Sequence, residues 1–434
     1  MRIAFLTLGC KVNYYETEKM IRDFRDRGFS VVDFEDEADV YVVNTCTVTN
    51  IADRKSRQML HRARKKYPHA LIVAVGCYVE SAGEAIGEDE AIDLAYPNKD
   101  KTKLAQLLTE RLEERLKSRQ EAGGGQDTHK HRTRAFLKVQ DGCNQFCSYC
   151  LIPYVRGRGE LTSTPPEQVV SEVEERVADG CKEVVLNGIH LSSYGVTERR
   201  ADGFVRAEGR PLQELIRQVD QVDGLVRIRL GSLEPRIITR EWLAGLQDCD
   251  KLCPHFHLSL QSGCDATLER MNRHYTTADF AERVALLREF YEHPAITTDV
   301  IVGFPGETDE EFAQTVDFLE EIGFADLHIF QYSMRDGTRA AAMDDQVPPT
   351  VKKERSEALL ARVEKWNADF IQKQAATPSQ ILLEETITVG GERLLVGYNE
   401  RYVRYGVPEE VALQRGFAPG MLIGTELAKV IRES

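Results

Sequence analysis

Strand and helix patterns alternate along most of the chain, and this alternation restricts the fold more than any other feature of the sequence. Apolar runs of strand length occur at 3–8, 39–44 and 70–75, and a helical stretch follows each of the first two. Because parallel strands need a crossover between them, usually a helix, the pattern predicts a doubly wound parallel sheet covered on both faces. Sites in such sheets form beyond the carboxyl ends of the strands.

Cysteines occupy that position after each of the three strands. Cys10, Cys46 and Cys77 lie just past the three apolar runs. Since the carboxyl ends of parallel strands meet at one edge of a sheet, we expect these three thiols to lie close together. Burial in the core is the common alternative for a free cysteine, but it does not explain the repeated position. The pattern favours a 4Fe-4S cluster with three protein ligands.

A second set of cysteines lies in one short loop within 141–158, directly after an apolar run at 135–139. Cys143, Cys147 and Cys150 have the spacing C-x3-C-x2-C. Three thiolates leave one coordination position open, which favours a 4Fe-4S cluster whose fourth iron binds an exchangeable ligand. Zinc is the alternative, although a catalytic zinc usually has histidine or carboxylate ligands beside its cysteines.

The rest of the α/β chain predicts two further domains. Six strand and helix units within 134–374 predict a partial (β/α) barrel with its chemistry at the carboxyl ends of the strands. Strand-like segments broken by glycines within 375–434 predict a small antiparallel β-barrel. A stretch at 119–133, rich in Gly, Gln, Ser and His, predicts a flexible linker after an N-terminal domain at 1–118.

Charge limits the partners of the chain. The formal net charge is -14, from 56 Lys plus Arg and 70 Asp plus Glu, so a nucleic-acid site must be a local basic patch. A predicted helix at 51–66 offers such a patch, and tyrosines near the C-terminus offer stacking faces for unpaired bases. A solvated helix face and ordinary sheet aromatics are the alternatives. The RNA-binding candidates are Arg54, Lys55, Arg57, Arg62, Arg64, Tyr402 and Arg404.

The motifs around both cysteine sets resemble those of a known family. The loop at 141–158, with its three cysteines and the Leu-Ile-Pro-Tyr that follows them, resembles the cluster loop of radical S-adenosylmethionine (SAM) enzymes. Ahead of it, Leu8-Gly-Cys-Lys-Val-Asn13, Asn44-Thr-Cys-Thr-Val-Thr-Asn50 and Gly76-Cys77 resemble the methylthiotransferases over essentially the whole chain. The resemblance implies an auxiliary cluster on the first cysteine set, a radical SAM cluster on the second, and a TRAM-like RNA-binding module at 375–434.

The resemblance also implies where SAM is held. Its amino and carboxylate groups would occupy the open iron of the cluster on Cys143, Cys147 and Cys150, which are thereby the catalytic cysteines. Other strand ends carry residues similar to SAM contacts of the superfamily. Turn or strand-end residues without a ligand are the alternative for each of these positions. The candidates are Asn187 and Gly188 for the amino group, Glu234 and Gln261 for the ribose or carboxylate, and Arg273 for the carboxylate.

The implied activity is a tRNA modification. Within the family, the motifs are most similar to the branch that methylthiolates carbon 2 of threonylcarbamoyladenosine, at position 37 beside the anticodon. Related branches act on isopentenyladenosine in tRNA or on a ribosomal-protein aspartate, and a non-catalytic iron-sulfur RNA-binding protein is an alternative of another class. The implied partners are tRNA and an electron donor such as flavodoxin or ferredoxin, and the sulfur donor is left open.

Composition adds an expected location. No run of about 18 apolar residues occurs, and the chain starts without a secretory signal pattern. Ten cysteines in such a chain indicate metal or redox chemistry over a disulfide framework. We therefore expect a cytoplasmic monomer without a membrane partner.

Overall fold

The computed structural model of the chain describes residues 1–116, 133–196, 208–375 and 377–431. The predicted linker at 119–133 lies outside these residues except for Thr133. The predicted alternation of strands and helices is confirmed in both the N-terminal and the central part of the chain. None of the described helices is both long and apolar enough to cross a membrane.

The N-terminal domain is the predicted parallel sheet. Its strands are β1 (Arg2–Thr7), β2 (Ser30–Val32), β3 (Val40–Thr45), β4 (Leu71–Gly76) and β5 (Leu94–Tyr96). They pair in the order β2-β1-β3-β4-β5, and every pairing is parallel. The helices are α1 (Lys11–Asp26), α2 (Asn50–Lys66), α3 (Cys77–Ala82) and α4 (Leu104–Leu116).

The strands of this sheet are apolar because both faces are covered. All six residues of β3 are buried, as expected for a strand in the middle of a doubly covered parallel sheet. Alternate side chains of β3 enter two separate apolar clusters: Val40 and Val42 in one, Tyr41 and Val43 in the other. The sheet order thereby places the ends of β1, β3 and β4 side by side at one edge.

The central domain is a partly open parallel barrel. Its strands are β6 (Arg134–Asp141), β7 (Thr162–Ser163), β8 (Glu183–Gly188), β9 (Arg227–Leu230), β10 (His255–His257), β11 (Ala295–Val302) and β12 (Asp326–Gln331). They form two sheets, β7-β6-β8-β9 and β10-β11-β12, which the parallel bridges Ile228↔Leu252 and Leu233↔Leu258 connect. Only the short β7 is antiparallel to its neighbour among these pairings of the described residues.

Helices cover the outside of the barrel. They are α5 (Ile152–Val155), α6 (Pro166–Ala178), α7 (Arg210–Asp220), α8 (Arg240–Ala244), α9 (Asp265–Arg270), α10 (Thr277–Phe290), α11 (Asp309–Ile322) and α12 (Pro349–Ala375). Alternate strand residues such as Leu186, Leu258 and Val300 enter the core beneath these helices. Their sequence neighbours therefore point to the inner face of the barrel, because successive side chains of a strand lie on opposite faces.

The C-terminal domain is a small antiparallel sheet with one helix. It comprises β13 (Gln380–Val389), β14 (Glu392–Tyr398), β15 (Arg404–Pro408), α13 (Glu409–Arg415), β16 (Leu422–Gly424) and β17 (Lys429–Val430), with the strand order β16-β13-β14-β15-β17. The strand pattern predicted this curved sheet but missed α13. One 3-10 turn at Thr425–Leu427 separates β16 from β17.

Arginines at the amino end of the barrel attach this C-terminal domain. Arg229 donates hydrogen bonds to the backbone carbonyls of Asn399, at 2.7 Å, and Glu400, at 2.8 Å. Its guanidinium also contacts the buried carboxylate of Glu183, with 2.9 Å between Nε and Oε1. The C-terminal domain therefore closes the end of the barrel that lies opposite the cysteine loop.

Candidate functional site

The sheet edge of the N-terminal domain brings the first cysteine set together. Cys10 precedes α1, Cys46 follows β3, and Cys77 begins α3 directly after β4. Burial, together with the neighbouring Cys77 and Cys10, raises the pKa of Cys46 to about 11. Three mutually close thiols that resist carrying separate negative charges form a donor set that suits a bound cation such as a cluster iron.

Glycines keep the space beside these thiols free. Gly9 has a φ of +96°, and a Cβ atom at this position would lie 2.6 Å from the Cys46 Sγ. Gly76 has a φ of +108°, and a Cβ there would lie 2.5 Å from the Thr45 carbonyl oxygen. Both backbones are left-handed or nearly so, a region that glycine tolerates best. Any larger residue at position 9 would fill the place that a cluster needs.

The second cysteine set lies in the loop between β6 and α5. Burial raises the pKa of Cys143 to about 12, with a further contribution from Cys147, and burial also raises the pKa of Cys150. The segment after α9 anchors the loop, because the Ser148 backbone N–H donates to the Met271 carbonyl at 3.0 Å. The loop therefore presents three close thiols on a fixed backbone.

Arg273 connects this loop with the predicted SAM contacts. Its Nη1 lies 3.1 Å from the Cys147 Sγ, and its Nε donates to the Tyr275 hydroxyl at 2.9 Å. Asn187 and Gly188 end β8, and Glu234 follows β9. The remaining candidate, Gln261, follows β10 with a φ of +77°. The structure thus places all five candidates at the carboxyl ends of the barrel strands or against the cysteine loop, and their role in SAM binding stays a prediction.

His190 is a further site residue, which the sequence analysis missed. Its Nδ1 lies 2.6 Å from the Ser193 hydroxyl, whereas its buried Nε2 has no hydrogen-bond partner among the residues that the structure describes. Burial, with the nearby charges of Arg273 and Arg236, lowers the pKa of His190 to about 3, so the ring is neutral. An orphaned buried nitrogen beside the cysteine loop suits a polar ligand such as SAM. No spacing in the sequence marks this histidine.

Arg156 joins the two cysteine sets. It lies six residues after Cys150, and its Nε is 3.3 Å from the Sγ of Cys77 in the other domain. Its remaining nitrogens donate to Glu16 at 2.9 Å, to Asp141 at 3.2 Å and to the Asn13 side chain at 3.0 Å. One buried guanidinium therefore holds a thiol of the first set in a fixed position relative to the loop of the second set.

A buried charge network surrounds this guanidinium. Glu16 pairs with Lys101 at 2.6 Å and with Lys138 at 2.9 Å, in addition to Arg156. Burial alone would raise the pKa of Glu16, but Lys101, Arg156 and Lys138 together hold it well below its usual value. The N-terminal domain and the barrel therefore share a buried interface in which each carboxylate contacts at least two cations.

The opposite side of the first cysteine set also contacts the barrel. The Asn50 side chain donates to the Met334 carbonyl at 2.9 Å, and Arg335 donates to Asn50 at 2.6 Å and to the Thr47 hydroxyl at 2.6 Å. The segment that follows Cys46 therefore lies on the segment that follows β12. These contacts position the first cysteine set over the carboxyl ends of the barrel strands.

Three neighbouring strands contribute a second polar group that the sequence did not indicate. The His257 Nε2 lies 3.3 Å from one Asp299 oxygen, and the His328 Nδ1 lies 3.1 Å from the other. Asp299 raises the pKa of His328 by hydrogen bonding, whereas the two histidines lower the pKa of Asp299 despite its burial. We call these three side chains the inner-face triad. They come from β10, β11 and β12, so no sequence spacing connects them.

The predicted basic patch divides into two parts. Arg62 pairs with Glu35 at 2.7 Å, and Arg64 forms an ion pair with Asp93. In contrast, Arg54 and Lys55 are exposed near the amino end of α2, and Arg57 is exposed beside the Tyr78 ring, 6.0 Å from its centroid. The acidic partners of the second half are distant in sequence. Arg54 and Lys55 therefore leave exposed positive charge near the amino end of α2, close to the first cysteine set.

Tyr402 occupies a position that the sequence did not indicate. Its ring stacks on His255, with centroids 5.1 Å apart, and the Arg229 guanidinium lies 4.6 Å from its centroid. Its hydroxyl accepts a hydrogen bond from Arg134 at 2.7 Å. Both ring faces therefore contact the protein, and this tyrosine packs the C-terminal domain on the barrel. Arg404 begins β15 with its guanidinium 5.6 Å from the Tyr398 ring.

Family models match both major parts of the chain. Residues 2–96 match a model described as "Uncharacterized protein family UPF0004", and residues 137–319 match one described as "Radical SAM superfamily". Among solved structures, the radical S-adenosylmethionine methyltransferase TsrM from Kitasatospora setae is similar, with a TM-score of 0.55, 16% identity, and coverage of 90% of this chain and 79% of that chain. At this identity the likeness concerns the fold alone.

Several proteins share a higher sequence identity with this chain than TsrM does. Threonylcarbamoyladenosine tRNA methylthiotransferase MtaB of Bacillus subtilis (strain 168) is 39% identical over 93% of this chain and 89% of the relative. The protein of the same name from Aquifex aeolicus (strain VF5) is 38% identical over 89% and 93%. The tRNA-2-methylthio-N(6)-dimethylallyladenosine synthase of Caldicellulosiruptor saccharolyticus is 34% identical over 87% and 81%.

The barrel and its cysteine loop define a radical SAM enzyme. The N-terminal match and the identity to these relatives narrow the class further. The chain belongs to the methylthiotransferase family. Membership in the superfamily implies a 4Fe-4S cluster and SAM as cofactors, and a second cluster is consistent with the family. The two three-thiol sets, the space beside Gly9 and the orphaned His190 nitrogen fit these groups.

Proposed function

We propose that this protein methylthiolates carbon 2 of threonylcarbamoyladenosine at position 37 of tRNA. The observation that carries the proposal is the link through Arg156. It joins the loop of one three-cysteine set to Cys77 of the other set, across two domains. A plain radical SAM methylase needs only the loop set and leaves the thiols at the sheet edge without a role.

The target carbon explains why such cofactors are needed. The C2–H bond of adenine is not acidic, so no side-chain base removes its proton. The bound cluster and SAM would supply one-electron chemistry that acts on an unactivated carbon, and the auxiliary cluster would hold the sulfur to be transferred. Cys143, Cys147 and Cys150 would hold the first group, and Cys10, Cys46 and Cys77 the second.

The side chains of the protein would orient the bound groups and hold the two cysteine sets in place relative to each other. Arg273 places a positive charge against Cys147, and neutral His190 offers its free nitrogen to the bound SAM. Arg156 and the contacts of Arg335 with Thr47 hold the sheet edge over the barrel. These groups are buried or half-buried and are held by hydrogen bonds, so little reorganisation would accompany the reaction.

The RNA would approach over the amino end of α2. Arg54 and Lys55 are exposed cations there, and Val48, Ile51 and Met334 expose apolar side chains close by. Such a surface suits both phosphates and unstacked bases of an anticodon loop. We further propose that the protein acts as a monomer in the cytoplasm, with flavodoxin or ferredoxin as electron donor.

Nucleoside mass spectrometry tests the substrate. Total tRNA from a strain lacking the gene is compared with tRNA from its parent. We expect methylthio-threonylcarbamoyladenosine to disappear and its precursor without the methylthio group to accumulate. Loss of the methylthio group from isopentenyladenosine instead would assign the enzyme to the related tRNA branch. An unchanged nucleoside profile would contradict a tRNA substrate and direct attention to a ribosomal-protein aspartate.

Cysteine variants test the two clusters separately. We expect Cys147→Ala to abolish SAM cleavage by the reduced protein, and Cys46→Ala to retain cleavage but stop sulfur insertion. Cys249→Ala, which removes a core thiol far from both sets in sequence, is the matched control and should retain both activities. SAM cleavage by Cys147→Ala would contradict the assignment, and no SAM cleavage by the wild-type protein would favour a non-catalytic iron-sulfur protein.

Paired cation variants test the RNA surface. Arg54→Ala with Lys55→Ala should weaken tRNA binding and reduce the slope of log affinity against log salt by about 1 to 2, because each phosphate contact contributes about 0.7 to 0.9. Arg62→Ala with Arg64→Ala removes the same charge from residues that acids already neutralise, so its effect should be smaller. Equal effects of both pairs would refute a local docking surface at the amino end of α2.

A further inference from the structure

A lysine of the N-terminal domain faces the inside of the barrel. Lys11 follows Cys10 directly as the first residue of α1. Its charge interacts with those of Arg134, Arg229, Glu183 and Asp299, all on inner-face positions of barrel strands. The Lys11 side chain is exposed to solvent, although many protein atoms lie around it.

This ammonium has no counterion in contact. Within the described residues, no carboxylate forms an ion pair with Lys11 and no acceptor receives a hydrogen bond from it. The next charged residue of the helix differs, because Glu16 pairs with three cations. An unpaired positive charge among protein atoms is costly unless a ligand supplies the missing anion.

His328 lies near Lys11 on the inner face of the barrel. Its side chain is 62% exposed on the inner face, and Asp299 holds the ring in place from the far side. The charged groups facing His328 are Asp299, Asp326 and Lys11, with the His257 ring 5.7 Å away. The inner-face triad also has donor atoms close enough to surround a metal ion, within 4.8 Å of one another. The neighbouring Lys11 repels a cation, so an anion is the better occupant.

We propose that Lys11 and His328 bind the carboxylate of the threonylcarbamoyl group of the substrate nucleoside, an inference that rests on the proposed function. This group is the only part of the modified base that carries a full negative charge. Lys11 also lies next to Cys10, so a carboxylate held there places the base beside the first cysteine set. Asp299 is then a positioning residue that orients His328. An isopentenyl group would leave the Lys11 ammonium without an anionic partner, which disfavours that substrate.

Two synthetic anticodon stem-loops test the inference. One carries threonylcarbamoyladenosine, and the other carries the same group with its carboxylate replaced by a carboxamide. The wild-type enzyme should prefer the acid by about 10- to 100-fold in kcat/KM, since one charge-assisted hydrogen bond is worth about that ratio. Lys11→Met should lose this preference through a higher KM for the acid, with little change for the amide. Fluorescence anisotropy with the unreduced protein should give the same pattern in Kd.

Controls separate structural effects from recognition. Lys19→Met removes an exposed cation of the same helix and should retain the preference. Lys11→Arg should retain part of the preference for the acid. If Lys11→Met fails to incorporate iron, His328→Gln gives an independent test, because it should also reduce this preference. Equal losses on acid and amide, or no preference by the wild-type enzyme, would overturn the inference alone. No turnover of either RNA by the wild-type enzyme would overturn the proposed function, and the inference with it.

Discussion

Replacing Arg156 with methionine should weaken the attachment of the N-terminal domain to the barrel. Only 2% of the Arg156 side chain is exposed, and it pairs with Glu16 at 2.9 Å and with Asp141 at 3.2 Å. Removing one partner of a buried ion pair costs about 3–5 kcal/mol. Glu16 and Asp141 each keep a contact with Lys138 at 2.9 Å in this variant. We therefore expect a loss of stability at the lower end of this range, about 3 kcal/mol.

Thermal unfolding followed by circular dichroism measures this loss. A destabilisation of about 3 kcal/mol corresponds to a fall in Tm of about 6–12 °C for a unit of 150–250 residues. Arg240→Met is the matched control, because Arg240 pairs with Glu289 at the surface, where the two side chains are 56% and 54% exposed. Surface pairs contribute about 1 kcal/mol at most, so the control should shift Tm by no more than about 4 °C.

The same substitution should alter the auxiliary cluster. In a protein whose loop cysteines are replaced by alanine, only the cluster of the first set remains to be titrated. Arg156→Met removes a positive charge and a hydrogen-bond donor 3.3 Å from the Cys77 Sγ, so the reduction potential should become more negative. The reduction potential of Arg156→Lys should lie between that of the protein with Arg156 and that of Arg156→Met. A Tm shift equal to that of Arg240→Met, together with an unchanged potential, would refute the role assigned to Arg156.

Three further predictions concern acid stability, domain packing and cluster assembly. Folding lowers the pKa values of Glu16 and Asp141. These two carboxylates therefore stabilise the fold above their unfolded pKa values of about 4, and this stabilisation is lost as the pH falls through the folded pKa values. The Tm difference between wild type and Glu16→Gln should therefore shrink between pH 6 and pH 2. Arg229→Met removes one donor from the Asn399 and Glu400 carbonyls and from Glu183, which keeps its contact with Arg134, and should expose the C-terminal domain to limited proteolysis before the barrel. Gly9→Ala introduces a Cβ 2.6 Å from the Cys46 Sγ and should reduce iron bound to the first set, as measured by iron analysis, without preventing folding.

Local patterns were sufficient for the architecture and for the two cysteine sets. Apolar runs alternating with helices predict parallel strands, and the chain geometry of a parallel sheet then brings Cys10, Cys46 and Cys77 to one edge whatever the side chains nearby. The loop of Cys143 and Cys150 is local, so its spacing alone brings its thiols together. In both cases the relevant distances are fixed by backbone geometry that a short sequence window encodes.

Side-chain partners that depend on docking were not predictable in this way. Arg156 reaches Cys77 across two domains, and the sequence gives no periodicity that relates them. Tyr402 has an aromatic ring of the kind that stacks on bases, but the packing of the C-terminal domain places this ring between His255 and Arg229. Arg62 has a guanidinium group of the kind that binds phosphate, but Glu35 already forms an ion pair with this group.

The sequence by itself therefore determined the elements, their order and the edges at which thiols meet, because strand period and crossover geometry are local properties. Only the tertiary structure decided which charges remain unpaired. Lys11 is an ordinary helix residue in the sequence, and it becomes an exposed cation facing the barrel because α1 packs against β6 and β8. The energy of a charge depends on every group within several ångströms, and those groups come from distant parts of the chain.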